Sequence, residues 1–131
     1  MTFGSNSNGG KEIALLMVFW LLVLSASLLH AGVEIVVIEN VQFAKSLSAT
    51  VTDSGDFLLP GAKVEEMSPD WKQVLRSTQT DDAGKFTLAP VHGRKIYYLQ
   101  ISHDGFNPLR VRVAISTKKG KDLRLQLEVA T

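Results

Sequence analysis

From Leu47 onward, apolar and polar residues alternate in short runs, and each run is cut off by a turn signal. A period of two sends successive side chains to opposite faces of an extended strand, so each run predicts a strand with one buried face. Leu109–Ile115 is the cleanest case, with Leu109, Val111, Val113 and Ile115 inward and Arg110 and Arg112 outward. Leu123–Val129 repeats the pattern with four apolar residues on one face. Leu47, Ala49 and Val51 share a face, as do Ala62 and Val64, Phe86 and Leu88, and Tyr97, Leu99 and Ile101. Gln73–Gln79 is a strand of weaker pattern, and Val33–Ile38 is apolar on both faces.

Turn chemistry separates these runs: Asp53-Ser-Gly-Asp56, Pro60-Gly61, Ser68-Pro-Asp70, Asp81-Asp-Ala-Gly84, His92-Gly93, Asp104-Gly105 and Lys118-Lys-Gly120. No window after residue 32 carries the 3.6-residue period of a helix. Parallel sheets covered by helices have strands that are apolar on both faces, and these are not. The expectation is therefore an all-β fold, a seven- to eight-stranded antiparallel β-sandwich. Phe86, Tyr97, Leu99, Val111, Val113 and Leu125 should lie in its core.

The N-terminal segment has another character. Residues 1–10 are rich in Gly, Ser and Asn; Lys11 follows, then the unbroken apolar run Ile13–Leu24, then Ser25-Ala-Ser27 and Leu28-Leu-His-Ala31. A basic residue, a short apolar stretch and a small-residue exit make a secretory signal peptide. The alternative is a retained membrane anchor, which would reach on to Leu29. Three regions follow: a signal segment at 1–31, an N-terminal arm at 32–45 and the sandwich at 46–131. Either reading exports the domain to a periplasmic or extracellular address. The absence of cysteine excludes a disulfide scaffold, a thiol nucleophile and a Cys zinc site. A net charge of +1 gives no overall field toward nucleic acid.

Three patterns occur in one order: Leu47-x-Ala49-x-Val51-x-Asp53-x-Gly55 with Leu59-Pro60-Gly61-Ala62-x-Val64; Thr80-Asp81-x-x-Gly84-x-Phe86-x-Leu88; and Tyr97-x-Leu99-x-Ile101-Ser102-x-x-Gly105-Phe106. Together they resemble the carboxypeptidase regulatory-like domain family, over about residues 46–129. Ala49 departs from the glycine that family often has there. The resemblance implies a transthyretin-like (prealbumin-like) sandwich with an Ig-like Greek key. Sandwiches of this type include hydrolases of 5-hydroxyisourate, which use His and Arg and end in a Tyr-Arg-Gly-Ser-like sequence. This chain ends Leu127-Glu-Val-Ala-Thr131.

Candidate chemistry is sparse. His30 stands at the signal exit, and His92 and His103 sit in turns, so no catalytic pair is expected. Asp53, Asp56, Asp81 and Asp82 read as turn formers. Their oxygens also suit a weak Ca²⁺ site, though the calcium-loop spacing is missing. No other cofactor and no metal site is expected.

Arg110 and Arg112 form an outward basic stripe. Arg124 joins it if the Lys118–Lys121 turn is a hairpin between the last two strands. Such a stripe would dock an anionic glycan, a lipid headgroup or an acidic partner; its plainer role is a charged face that discourages aggregation. Trp71, in the Ser68–Lys72 loop, is a candidate stacking platform for a sugar. The expected function is a non-enzymatic exported module for binding or assembly at the cell envelope. Its partner would be an envelope protein or a glycan, with no nucleic acid, and a membrane only if the leader is retained. The alternative is a structural subunit that self-associates through Val33–Ile38; a small hydrolase is the third reading.

Overall fold

The computed structural model describes residues 34–131, and the segment read as a signal or anchor lies outside them. Eight strands follow one another: β1 Val36–Val37, β2 Gln42–Thr52, β3 Lys63–Met67, β4 Val74–Gln79, β5 Lys85–Thr87, β6 Ile96–Ser102, β7 Leu109–Ile115 and β8 Lys121–Gln126. The described residues contain no helix. The strands form one curled sheet in the order β4-β3-β6-β7-β2-β5, with β1 also on β7 and β8 also on β2.

The curl arises from β2. Gln42–Ala44 pair with Val113–Ile115 of β7, whereas Ser48–Thr52 pair with β5 and β8. One strand thus serves both layers of the sandwich. The register slips between Ala44 and Ala49, and that bulge bends the strand from one layer into the other.

Between the layers lies one core. Leu47, Ala49 and Val51 of β2 meet Val64, Phe86, Tyr97, Leu99, Ile101, Val111, Val113, Leu125 and Leu127. The six residues expected to be buried are all at 3% exposure or less. Tyr97 resolves the usual conflict of a buried phenol: its hydroxyl accepts a hydrogen bond from the Val91 N–H at 2.8 Å. The alternation overreaches at two strand ends, because Ile115 and Val129 are exposed.

Three pairings differ from an all-antiparallel sandwich: β1–β7, β2–β7 and β2–β8 are parallel. Alternation reports that one face is wet. It does not report strand direction when no helix covers that face. The last connection is not a hairpin either. The Ser116 N–H bonds to the Ala44 carbonyl at 2.9 Å, and a Cβ on Gly120 would sit 2.2 Å from the Ser116 carbonyl oxygen. The chain therefore crosses tightly beneath β2 and emerges as β8 in the other layer.

The turns follow their sequence signals in most places. Gly61 and Gly84 take positive φ, and a Cβ on Gly84 would also meet the Val51 carbonyl oxygen at 2.8 Å. In the first turn it is Asp56, rather than Gly55, that adopts positive φ.

The arm packs on its own domain. Its Val36 N–H bonds to the Pro108 carbonyl and its Ile38 N–H to the Arg110 carbonyl. Val36 and Ile38 turn toward the core, while Ile35 and Val37 remain exposed.

Candidate functional site

Strand order brings together residues that lie far apart in sequence. β6 lies between β3 and β7, so Tyr98 and Gln100 stand opposite Arg112 and Arg110 on the outer face. Tyr98, Arg110 and Arg112 form the floor of a groove. The loop after β3 makes one wall, with Pro69 and Trp71; Val37, Ile38 and Glu39 of the arm make the other. The groove encloses about 360 Å³.

Trp71 is its most constrained residue. Its φ is +63°, a left-handed backbone that a bulky side chain rarely adopts. Such a conformation costs on the order of 1–3 kcal/mol and persists only where the surroundings enforce it. Here the enforcement is visible. The Trp71 N–H bonds to the Ser68 carbonyl at 2.8 Å, and the Ser68 N–H to the Gln73 carbonyl at 2.9 Å. The Ser68 hydroxyl donates to Asp70 Oδ1 and accepts from the Gln73 N–H, and the Lys72 N–H also reaches Asp70 Oδ1. This knot presents the indole to Tyr98, edge to face at 5.4 Å between centroids, and to the Arg110 guanidinium, 5.0 Å from the ring centre.

The two arginines are positioned by second contacts. Arg110 Nε donates to Gln100 Oε1 at 2.9 Å, and Arg112 Nη2 donates to the Glu39 carbonyl at 2.5 Å. Each guanidinium has five N–H donors, so these bonds orient the group without exhausting it. An indole set edge to face on Tyr98, beside two oriented guanidinia, suits a ligand with a sugar-like face and an anionic group.

The Ser68 hydroxyl bond, followed by the Lys72 N–H bond, holds the Asp70 carboxyl below its ordinary 3.8. A depressed carboxyl pKa contributes stability above the unfolded value, and that contribution is lost as pH falls through the folded value. The loop should therefore keep its form from neutral pH down to about pH 4 and loosen only below. In carboxyl-resolved NMR, Ser68→Ala should raise the Asp70 titration midpoint. An unchanged midpoint would show that this bond is not made in solution.

Arg124 does not join the stripe. It faces Thr50 on the other layer, 3.9 Å from Asp56. The hairpin that would have carried it to Arg110 and Arg112 is replaced by the crossing under β2. Tyr98 was not singled out in the sequence, although alternation from buried Tyr97 turns it outward.

The remaining candidates occupy ordinary positions. His92 and His103 flank opposite ends of β6, whose seven residues span roughly 23 Å. Asp53 Oδ1 accepts the Gly55 and Phe57 N–H groups, and Asp81 Oδ1 accepts those of Ala83 and Lys85. Each aspartate thus commits one oxygen to its own turn.

A second polar cluster was not anticipated. Glu66, 1% exposed, receives Arg76 Nε on one oxygen at 2.7 Å and Arg94 Nη1 on the other. Arg94 also lies over the Tyr97 ring. Both carboxylate oxygens are occupied, so the cluster ties β3 to β4 and to the loop before β6.

A comparison with curated proteins gave no match. Comparison with protein families gave one, the carboxypeptidase regulatory-like domain, over residues 46–128. That span runs from Ser46 in β2 to just beyond β8 and takes in the Trp71 loop and both groove arginines, while the arm precedes it. With most of the chain matched and the three motifs forming the turns and strands just described, the protein belongs to the carboxypeptidase regulatory-like domain family.

Proposed function

We propose that this domain is a non-catalytic, exported binding module of the cell envelope, and that it holds an anionic glycan in the groove between the arm and the Trp71 loop. The observation that carries this reading is Trp71 itself, kept in a strained backbone conformation beside Tyr98 and Arg110. Strain of this kind concentrates at binding and catalytic sites. The groups that meet at Trp71 are aromatic rings and guanidinia, which bind and orient; Glu39 on the arm wall is the one carboxylate among the described lining residues, with no aliphatic hydroxyl, thiol or imidazole beside it in that lining. Neither the rings nor the guanidinia serve as a nucleophile or as a general base at neutral pH.

Assembly through the arm has less support. β1 is two residues long, and one of its faces is spent on the domain's own core.

The test uses oligogalacturonate as the anionic probe and a neutral maltooligosaccharide of the same length as the control. Trp71→Ala should weaken oligogalacturonate binding by about thirtyfold, the ~2 kcal/mol of a central aromatic contact. Arg112→Ala should also weaken it, and Arg124→Ala should not. Calorimetry on the three variants reads this directly. Equal affinity for the neutral sugar would remove the role of the arginines, and an unchanged Trp71→Ala affinity would overturn the site.

A further inference from the structure

The outer face that floors the groove continues past Arg112. The next cross-strand row after Tyr98–Arg112 is Ile96–Ala114, and Phe43 of β2 extends that row, standing opposite Ala114. Val113 and Ala44 are inward and fully buried, so Ala114 and Phe43 point outward. Phe43 is 41% exposed and Ile96 37%. At about 3.3 Å per residue, this row lies ~7 Å beyond Arg112 and ~13 Å beyond Arg110.

A second cavity of about 200 Å³ opens beside Phe43, lined by Val41, Gln42, Lys119, Lys121 and Leu123. Lys119 Nζ lies 5.6 Å from the centre of the Phe43 ring. This repeats the arrangement in the groove, where the Arg110 guanidinium lies 5.0 Å from the Trp71 ring centre. Among the described residues no carboxylate lines the second cavity, and neither lysine is in an ion pair.

The backbone fixes where these lysines stand. They flank Gly120 in the tight crossing under β2, where a Cβ on Gly120 would sit 2.7 Å from the Ala44 carbonyl oxygen. The Lys119 N–H bonds to Ser116 Oγ at 3.0 Å, and Lys121 pairs with Ala44. A hairpin standing clear of the sheet would leave its lysines unplaced; the crossing sets both at the rim of one cavity.

We propose that the groove and this cavity are two subsites of one track, and that the second takes a further acidic unit of the same anionic polysaccharide, its ring on Phe43 and its carboxylate on Lys119 and Lys121. The proposal rests on the reading of the groove as an anionic-glycan site. Ile96 and Ala114 give an uncharged floor between the two subsites, on which a sugar ring can lie. A polymer with an acid group on each unit satisfies both cation–aromatic pairs at once, whereas a short acidic sugar fills only one. Once the groove is occupied, the second contact is intramolecular and gains from effective concentration.

Calorimetry on the full chain with a two-unit and a six-unit oligogalacturonate separates the subsites. The double variant Lys119→Ala/Lys121→Ala should weaken binding of the six-unit chain by about tenfold or more, and of the two-unit chain by less than about twofold. Both side chains are exposed, so the fold does not depend on them. Phe43→Ala should give the same pattern. Lys63→Ala/Lys85→Ala removes the same charge from exposed positions outside both subsites and should leave both affinities within about twofold. A six-unit affinity that survives the loss of Lys119 and Lys121, equal losses for the two chain lengths, or an equal loss in the Lys63/Lys85 variant would each overturn the second subsite. The last of these would assign the effect to overall charge. Trp71→Ala reads the groove separately: a two-unit affinity that it leaves unchanged overturns the groove and the track with it, while a Trp71-dependent two-unit affinity without the lysine effect overturns the second subsite alone.

Discussion

Glu66→Ala should cost about 3–5 kcal/mol of unfolding free energy, the range for removing one partner of a buried ion pair. Glu66 is 1% exposed, and its two oxygens accept from Arg76 and Arg94. Among the described residues, truncation removes the only carboxylate contacting these two guanidinia, which are then left against the sandwich without a counter-charge. Arg76 Nη2 is already buried without a hydrogen-bond partner, while the Arg76 and Arg94 side chains keep 28% and 34% of their surface exposed, which places the loss toward the lower end of that range. A domain of this size has about 5–15 kcal/mol in total, and each kcal/mol moves Tm by roughly 4–8 °C. The variant should therefore melt far below the parent. Replacing Glu66, Arg76 and Arg94 together by apolar residues should cost much less, because no charge is stranded. Urea unfolding of both variants checks this pair of outcomes. A Glu66→Ala loss below 1 kcal/mol would show that water reaches the cluster in solution.

Glu66 was within reach of the sequence. Period two from Ala62 and Val64 places it inward, and a carboxylate at an inward position demands a cation. Arg76 and Arg94 are 10 and 28 residues away, however, and nothing local selects them. The same division runs through the fold. β7 is legible from Leu109 to Ala114 because its alternation is unbroken there, and only its last residue, Ile115, departs from it. The first half of β2 is hidden because the buried Ala44 and Leu47 are three residues apart, the trace of a bulge that breaks the period. In the groove, the outward stripe of Arg110 and Arg112 is legible from β7 alone. Their meeting with Trp71 and Tyr98 depends on β6 lying between β3 and β7, which is a property of the whole sheet. Arg124 fails for the same reason: its strand carries the right alternation but sits beside β2.

Phe86→Ala should destabilise the domain by about 3–5 kcal/mol, the loss of an aromatic side chain from a packed core. Phe86 is 3% exposed, and it is the one buried residue of β5, whose flanking Lys85 and Thr87 are exposed. It sits opposite Ala49, a small residue that leaves room for the ring over the second layer. β5 pairs with β2 through three residues only, so its ladder bonds alone cannot hold it. Two effects should then appear together in Phe86→Ala. Urea unfolding should shift to a lower midpoint, and the β5 amides should exchange faster than those of β6, whose own core residues Tyr97, Leu99 and Ile101 are untouched. Phe86→Leu, which fills most of the cavity, should recover much of the stability and most of the protection. A Phe86→Ala loss under 1 kcal/mol would mean that β5 is not packed on the core in solution. A full loss with uniform exchange across β5 and β6 would mean instead that the two layers open only together, with β5 held by the fold as a whole rather than by its one aromatic anchor.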